Sequence, residues 1–194
     1  MSLTLVTRDL DPVTLVEAKA QLRLEIDDDD DLVMQMLRAA VKHVEGQTRR
    51  ALTAQTWDYA IDFAWPVKYG RHWITLPINP LTSVTSITYQ DTTGSSPQPT
   101  LAASLYTVVA REHGSYIVPA YEVVWPEIRC VPNAATVRFE AGSDSDISEP
   151  LKQAILLLTA HLYENRDTAT KGELIEIPYG VEALLSPYRP GSVA

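Results

Sequence analysis

The chain has 194 residues, is 45% hydrophobic and carries a formal charge of −9, a globular composition with apolar matter for one core or two small ones. Sixteen basic residues stand against 25 acidic ones, with no Lys/Arg cluster beyond Arg49-Arg50; this argues against a protein that grips DNA by its phosphates and leaves room for one past which DNA slides. No signal peptide is legible in MSLTLVTRDLDP, no apolar run reaches the ~18 residues of a membrane span, and the single Cys130 excludes an internal disulfide and a Cys-based zinc site, so a soluble, unexported chain, or one assembled in the cell that makes it, is expected.

The first predicted helix is VTLVEAKAQLRLE. Thr14 is its N-cap, and Glu17 three residues later completes a capping box. Leu15, Ala18 and Leu22 recur at helical spacing. A second helix begins in EIDDDDDL and runs through LVMQMLRAAVKHVEGQTRR, with Val33, Met36, Leu37, Ala40 and Val44 as its apolar stripe. Glu45 and Arg49 stand at i, i+4 as a helix-supporting pair, and Gly46 weakens the last turns.

Residues 52–140 change character to β-branched and aromatic residues, prolines and turn signals. QTWDYAIDF alternates Trp57, Tyr59, Ile61 and Phe63 against Asp58, Ala60 and Asp62. HWITLPI, TSVTSITYQD, LYTVVA, SYIVPAYEVVW and ATVRFEAG supply further short strands, and DTTGSSPQP reads as an exposed turn. The last strong helix is SEPLKQAILLLTAHLYENRD, with Pro150 in its first turn. Its stripe is Leu151, Ala154, Ile155, Leu158 and Leu162, yet Leu156, Leu157 and Ala160 lie off that stripe. A helix apolar on more than one face needs more than one neighbour. The expected fold is therefore α+β: a bundle of three main helices from residues 1–51 and 147–186, a β-rich insertion of about six strands over 52–142, and an extended C-terminal arm over 187–194.

No chemistry-bearing motif emerges. His43, His72, His113 and His161 lie in different elements without ligand spacing, and no glycine-rich phosphate loop or nucleophile elbow occurs. The pairs Asp144/Asp146 and Glu173/Glu176 sit in polar, turn-like sequence where a raised pKa is not expected. The aspartate run fails the calcium-loop pattern in three registers, because positions 6 and 12 hold Leu32 and Arg38, Val33 and Ala39, or Met34 and Ala40. Carboxylates at a helix start do suit the macrodipole, although five in a row exceed what capping needs. Trp57, Trp65, Trp73 and Trp125 cluster in the β-region, either as core or as an aromatic platform for a carbohydrate or other surface ligand. No enzyme, cofactor or metal is expected.

Four segments in order, VTLVEAKAQLRL, AAVKHVEGQTRRAL, PLTSVTSITYQD and PLKQAILLLTAHLYENRD, resemble the head–tail connector (adaptor) proteins of tailed bacteriophages and of phage-like gene transfer agents. The region between Gly94 and Asn133 and the aspartate run depart from that pattern. The resemblance implies a structural subunit of a ring, usually of twelve copies, below the portal in the neck of a particle assembled in the host cytoplasm. Such a ring extends the DNA channel, without sequence-specific DNA binding, and offers a platform to a stopper or tail protein. It also implies a C-terminal segment that reaches the portal, here carrying Val181, Leu184, Leu185, Tyr188 and Arg189. Ring contacts would give the helices their second neighbour, through Val33, Met36, Leu37, Leu156, Leu157 and Tyr163. Asp28, Asp29 and Asp30 would face the channel if that helix start points inward, and would then repel DNA phosphates.

Overall fold

The capping box expected at Thr14 is present in the computed structural model, which describes residues 1–8, 11–62, 64–65, 73–111, 114–142, 147–165 and 178–190. The chain forms two compact units: Leu10–Leu52 with Ser145–Ala194, which is helical, and Met1–Asp9 with Thr53–Asp144, which is β-rich. The α+β expectation holds.

In the helical unit, α1 spans Leu15–Leu22. The Glu17 amide donates to Thr14 Oγ1 at 3.3 Å, and the Thr14 amide donates to Glu17 Oε2 at 2.9 Å, so two otherwise orphaned N–H groups are satisfied. The helix stops at Arg23, which takes the left-handed conformation at φ 57° and returns its N–H to Ala20 O, while Leu24 N donates to Lys19 O. Helix α2 spans Asp30–Thr48 and buries Val33, Leu37, Ala40, Val41 and Val44 with Thr48, whose hydroxyl donates back to Val44 O at 2.7 Å. Met36, expected in this stripe, lies half-buried on its flank, and Val41 takes the central place. Glu45, read as a partner for Arg49, accepts from Leu52 N at 3.3 Å beyond the left-handed turn at Arg49.

Helix α3 spans Glu149–Glu164 with Pro150 in its first turn, and it buries Leu151, Ala154, Ile155, Leu156, Leu158 and Thr159. Those residues, with Val13, Ala18 and the buried face of α2, form one core. Helix α4, Tyr179–Leu185, closes it with Val181 and Leu185, and a tight turn over Ser186–Tyr188 lays Tyr188 against the same core. The Arg50 guanidinium sits 5.6 Å over the Tyr188 ring.

The β-rich unit holds two antiparallel sheets among the described residues. Strands β1 (Ser2–Arg8), β2 (Gln55–Ile61), β4 (Leu81–Tyr89) and β7 (Ala135–Ala141) make the larger one, in the order β1-β2-β7-β4. Strands β3 (Ile74–Thr75), β5 (Tyr106–Val109) and β6 (Tyr116–Pro119) make the smaller, in the order β3-β6-β5. Central strand β7 alternates strictly: Ala135, Val137, Phe139 and Ala141 are buried, and Arg138 and Glu140 are exposed. On its solvent face Arg138 grips Asp58 of β2 with two bonds, 2.8 and 2.7 Å.

Two differences from the sequence reading are instructive. Residues 2–8, expected with the helices, are a strand: SLTLVTR pairs with β2 from Ser2↔Ala60 to Arg8↔Gln55, with a bulge at Val6. In β4, period-two alternation predicts Val84 and Ile87 on opposite faces. Irregularities between Leu81 and Ser83 and between Val84 and Ser86 instead set Leu81, Val84 and Ile87 opposite the buried Ala141, Phe139 and Val137. Each bulge inserts one residue and so shifts the facing of everything after it.

The turn DTTGS is built as expected. The Asp91 carboxylate accepts from the amides of Gly94 and Ser95 and from the hydroxyls of Thr93 and Ser95, which holds it far below the usual carboxylate range.

Candidate assembly surfaces

The aspartate run turns out to be a clasp for the helical unit. Lys19 on α1 places its ammonium between Asp27, at 2.5 Å, and Asp30, at 2.7 Å. The Lys19 hydrogen bond lowers the Asp27 pKa, and its bonds to Asp27 and Asp30 raise that of Lys19. Asp29 stands at the N-cap position of α2, but its side chain makes no capping bond there; its Oδ2 accepts from the Tyr163 hydroxyl of α3. The run therefore ties α1 and α3 to the start of α2. Only Asp30 and Asp31 lie in the first turn, where negative charge suits the macrodipole. In place of a capping bond, the Asp29 side chain is drawn to the Tyr163 hydroxyl, a donor from a neighbouring helix. Asp28 and Asp31 are exposed.

A second ion pair joins α1 to α3. Lys152 Nζ lies 2.5 Å from Glu17 Oε1. With the Thr14 bonds, this pair holds the Glu17 carboxyl down at about 2. Sequence reasoning identified the capping role of Glu17 but not Lys152, which lies 135 positions further along the chain.

The residues read as a subunit interface fall into two groups. Val33, Leu37 and Leu156 are buried in the unit's own core. Met36, Leu157 and Tyr163 are half-buried, and Leu157 and Tyr163 line a groove of about 590 Å³ with Leu22, Arg23, Ala160 and Pro178. The residues read as a portal arm divide likewise. Val181 and Leu185 are core, while Leu184 and Tyr188 pack half-buried against its edge and Arg189 is half-buried in the following turn. Arg189 reaches Glu182 at 3.4 Å. The segment begins as a packed helix because its apolar residues at i, i+4 meet the bundle.

Two of the four tryptophans are core. Trp65 and Trp125 stack with centroids 5.0 Å apart, and the Trp65 indole donates to Pro126 O at 2.8 Å. Trp57 is half-buried in β2 and donates to Gln55 Oε1 at 3.2 Å. Trp73 stacks on Tyr116, centroids 4.9 Å apart, in a groove of about 610 Å³ lined by residues of the small sheet and of 120–125. Tyr121 and Val124 stand at its edge, 90% and 84% exposed. Residues 120–125 were read as part of a strand and are irregular, so this surface was not legible in the sequence.

His43 is half-buried in α2, and His161 accepts at its carbonyl from the Asn165 amide group at 2.8 Å. Both carboxylate pairs, with His72, His113 and Phe63, lie outside the described residues. Among the described residues, no helix is long and apolar enough to cross a membrane, and no three His, Cys, Asp or Glu side chains are grouped to hold a metal.

Residues 12–103 match the family model for the phage gp6-like head-tail connector protein. No curated protein matches the chain. Among solved structures, the fold is similar to a chain in the virion of a native gene transfer agent particle, with 27% identity and a TM-score of 0.78. It is similar also to chains in the neck of an empty gene transfer agent particle computed with C6 symmetry, at 28% identity and TM-score 0.78, and in the neck of a native particle computed with C12 symmetry, at 29% and 0.73. Each likeness covers 100% of this chain and 98% of the other. The resemblance carried by the four segments is therefore borne out: the chain is similar to the head–tail connector proteins by sequence over residues 12–103, and over its whole length its fold is similar to chains of gene transfer agent virions and necks.

Proposed function

We infer that the chain is one subunit of a ring in the neck of a phage-like particle, where it sits below the portal, extends the DNA channel and gives a stopper or tail protein its platform. The observation that carries this reading is end-to-end similarity to a chain found in necks computed with sixfold and twelvefold symmetry. Twelve copies is the reading that agrees with the latter. A structural part of this kind needs no active site. DNA passes through without sequence-specific contact, which suits an acidic chain with 25 carboxylates.

Within the ring, the half-buried members of the predicted sets keep part of their surface available to partners. Met36, Leu157 and Tyr163 would meet the neighbouring subunit. Leu184, Tyr188 and Arg189 would meet the portal, on a helix that Val181 and Leu185 anchor. Asp28 is the channel-facing candidate, since Asp29 and Asp30 are engaged within the helical unit. The alternative of a carbohydrate-binding module now rests on the groove beside Trp73 and Tyr116 alone. Its lining is mostly apolar with Glu122 as its single charged residue, which suits a protein partner better than a sugar.

Electron microscopy of the purified protein mixed with its portal tests the reading. A ring on the portal's distal end is expected. Free monomers beside bare portals would overturn it.

A further inference from the structure

Strand β1 stands at one edge of the larger sheet, with β2 on one side and no strand on the other among the described residues. Leu3, Leu5 and Val6 are 36%, 40% and 43% exposed, so this edge presents apolar side chains to its surroundings. Natural sheets blunt such edges with lysine, proline, β-bulges or inward-pointing charge. Before its final arginine SLTLVTR carries only the bulge at Val6, which leaves residues 2–5 in regular register.

The opposite edge of the same sheet is β4. Its far end is covered: Leu101 N donates to Ile87 O at 2.7 Å, and Tyr89 N donates to Pro99 O at 3.1 Å. Residues 81–86 have only β7 beside them among the described residues, and Thr82 and Thr85 are exposed. One sheet thus offers two open edges of similar length, residues 2–7 and residues 81–86.

The strand count decides how these edges fit. Four antiparallel strands alternate in direction, so β1 and β4 run opposite ways. A second copy placed beside the first by a small rotation sets its β4 against β1 in antiparallel register, the more stable pairing. A sheet with an odd number of strands would have forced a parallel one. Such a contact is head-to-tail, uses different surfaces on the two copies and gives a ring when the rotation from copy to copy closes.

We propose that β1 of one subunit pairs with residues 81–86 of β4 in the next subunit, joining the larger sheets edge to edge around the ring. The occupant is a second copy because one sheet carries both complementary edges, and because the similar chains belong to necks computed with sixfold and twelvefold symmetry, in which identical copies repeat around an axis. The proposal rests on the ring reading above.

Cysteine crosslinking in assembled particles tests it. In a Cys130→Ser background, Thr4→Cys combined with Thr85→Cys should give, on oxidation, a covalent ladder extending past the dimer. Each single variant should give none. A neck ring visible by microscopy but without the ladder overturns the edge pairing and leaves the ring standing. Absence of any ring overturns both. Hydrogen exchange on the unmodified protein is the independent measurement. Outward amides within residues 2–7 and 82–86 should exchange at least about tenfold more slowly in the particle than in the free subunit; equal rates at both edges overturn the pairing.

Discussion

Glu17 performs two tasks with one carboxylate: it closes the capping box of α1 and holds Lys152 of α3. Its pKa is lowered from 4.5 to about 2, so the stabilisation is present above 4.5 and is lost as pH falls from there toward 2. Asp27 is shifted the same way by Lys19. Acid titration of the folded protein should therefore show stability falling below pH 4.5, and Glu17→Gln should flatten that part of the curve. An unchanged slope would remove Glu17 from the account. Thr14→Ala should cost about 1 kcal/mol in urea unfolding, since it deletes the cap acceptor. Tyr163→Phe removes the donor to Asp29, a bond to a charged acceptor, and should cost about 1–2 kcal/mol. The same variant bears on assembly. If rings still form while the subunit loses stability, the Tyr163 hydroxyl serves the helical unit and not the interface.

At the scale of elements, α2 carries an avoidable weakness. Gly46 is exposed in the helix interior, and a Cβ built there meets nothing within 4 Å. Gly46→Ala should add about 0.5–1 kcal/mol, read as a raised thermal midpoint, provided no neighbouring subunit needs that space. A gain in stability with loss of ring assembly would mark this face of α2 as a contact. In the β-rich unit, Ile87→Ala should cost about 2–5 kcal/mol, because Ile87 is buried opposite Val137. The bulges make this residue core. An unbulged β4 would place Val84 and Ile87 on opposite faces and predict a milder effect for one of them.

At the scale of the molecule, α4 links folding to assembly. Leu185→Ala opens a cavity in the helical core and should cost about 2–5 kcal/mol. Leu184→Ser trims a half-buried side chain at the edge of that core and should cost less than Leu185→Ala, about 1 kcal/mol. In the connector reading the second variant, not the first, loses portal affinity with its fold intact; a pull-down with the portal distinguishes them. Asp28→Ser should leave ring assembly unchanged, and unaltered DNA ejection from such particles would remove the channel role of that residue.

Much of this was legible in the sequence. The capping box, the three long amphipathic segments and the strand-rich middle follow from local rules, because a helix or strand shows its buried face at a fixed period. Tertiary structure decided the rest. Lys19, Lys152 and Tyr163 found carboxylates on other helices, which no local pattern encodes. Residues 2–8 became a strand because β2, some fifty residues later, offered them an edge. The two bulges in β4 re-aimed Leu81, Val84 and Ile87, and only pairing with β7 reveals them. The apolar residues at 181 and 185 became core because the bundle left a face for them to cover. Periodicity along the chain says which residues seek burial; the energy of long-range contacts decides against what they are buried.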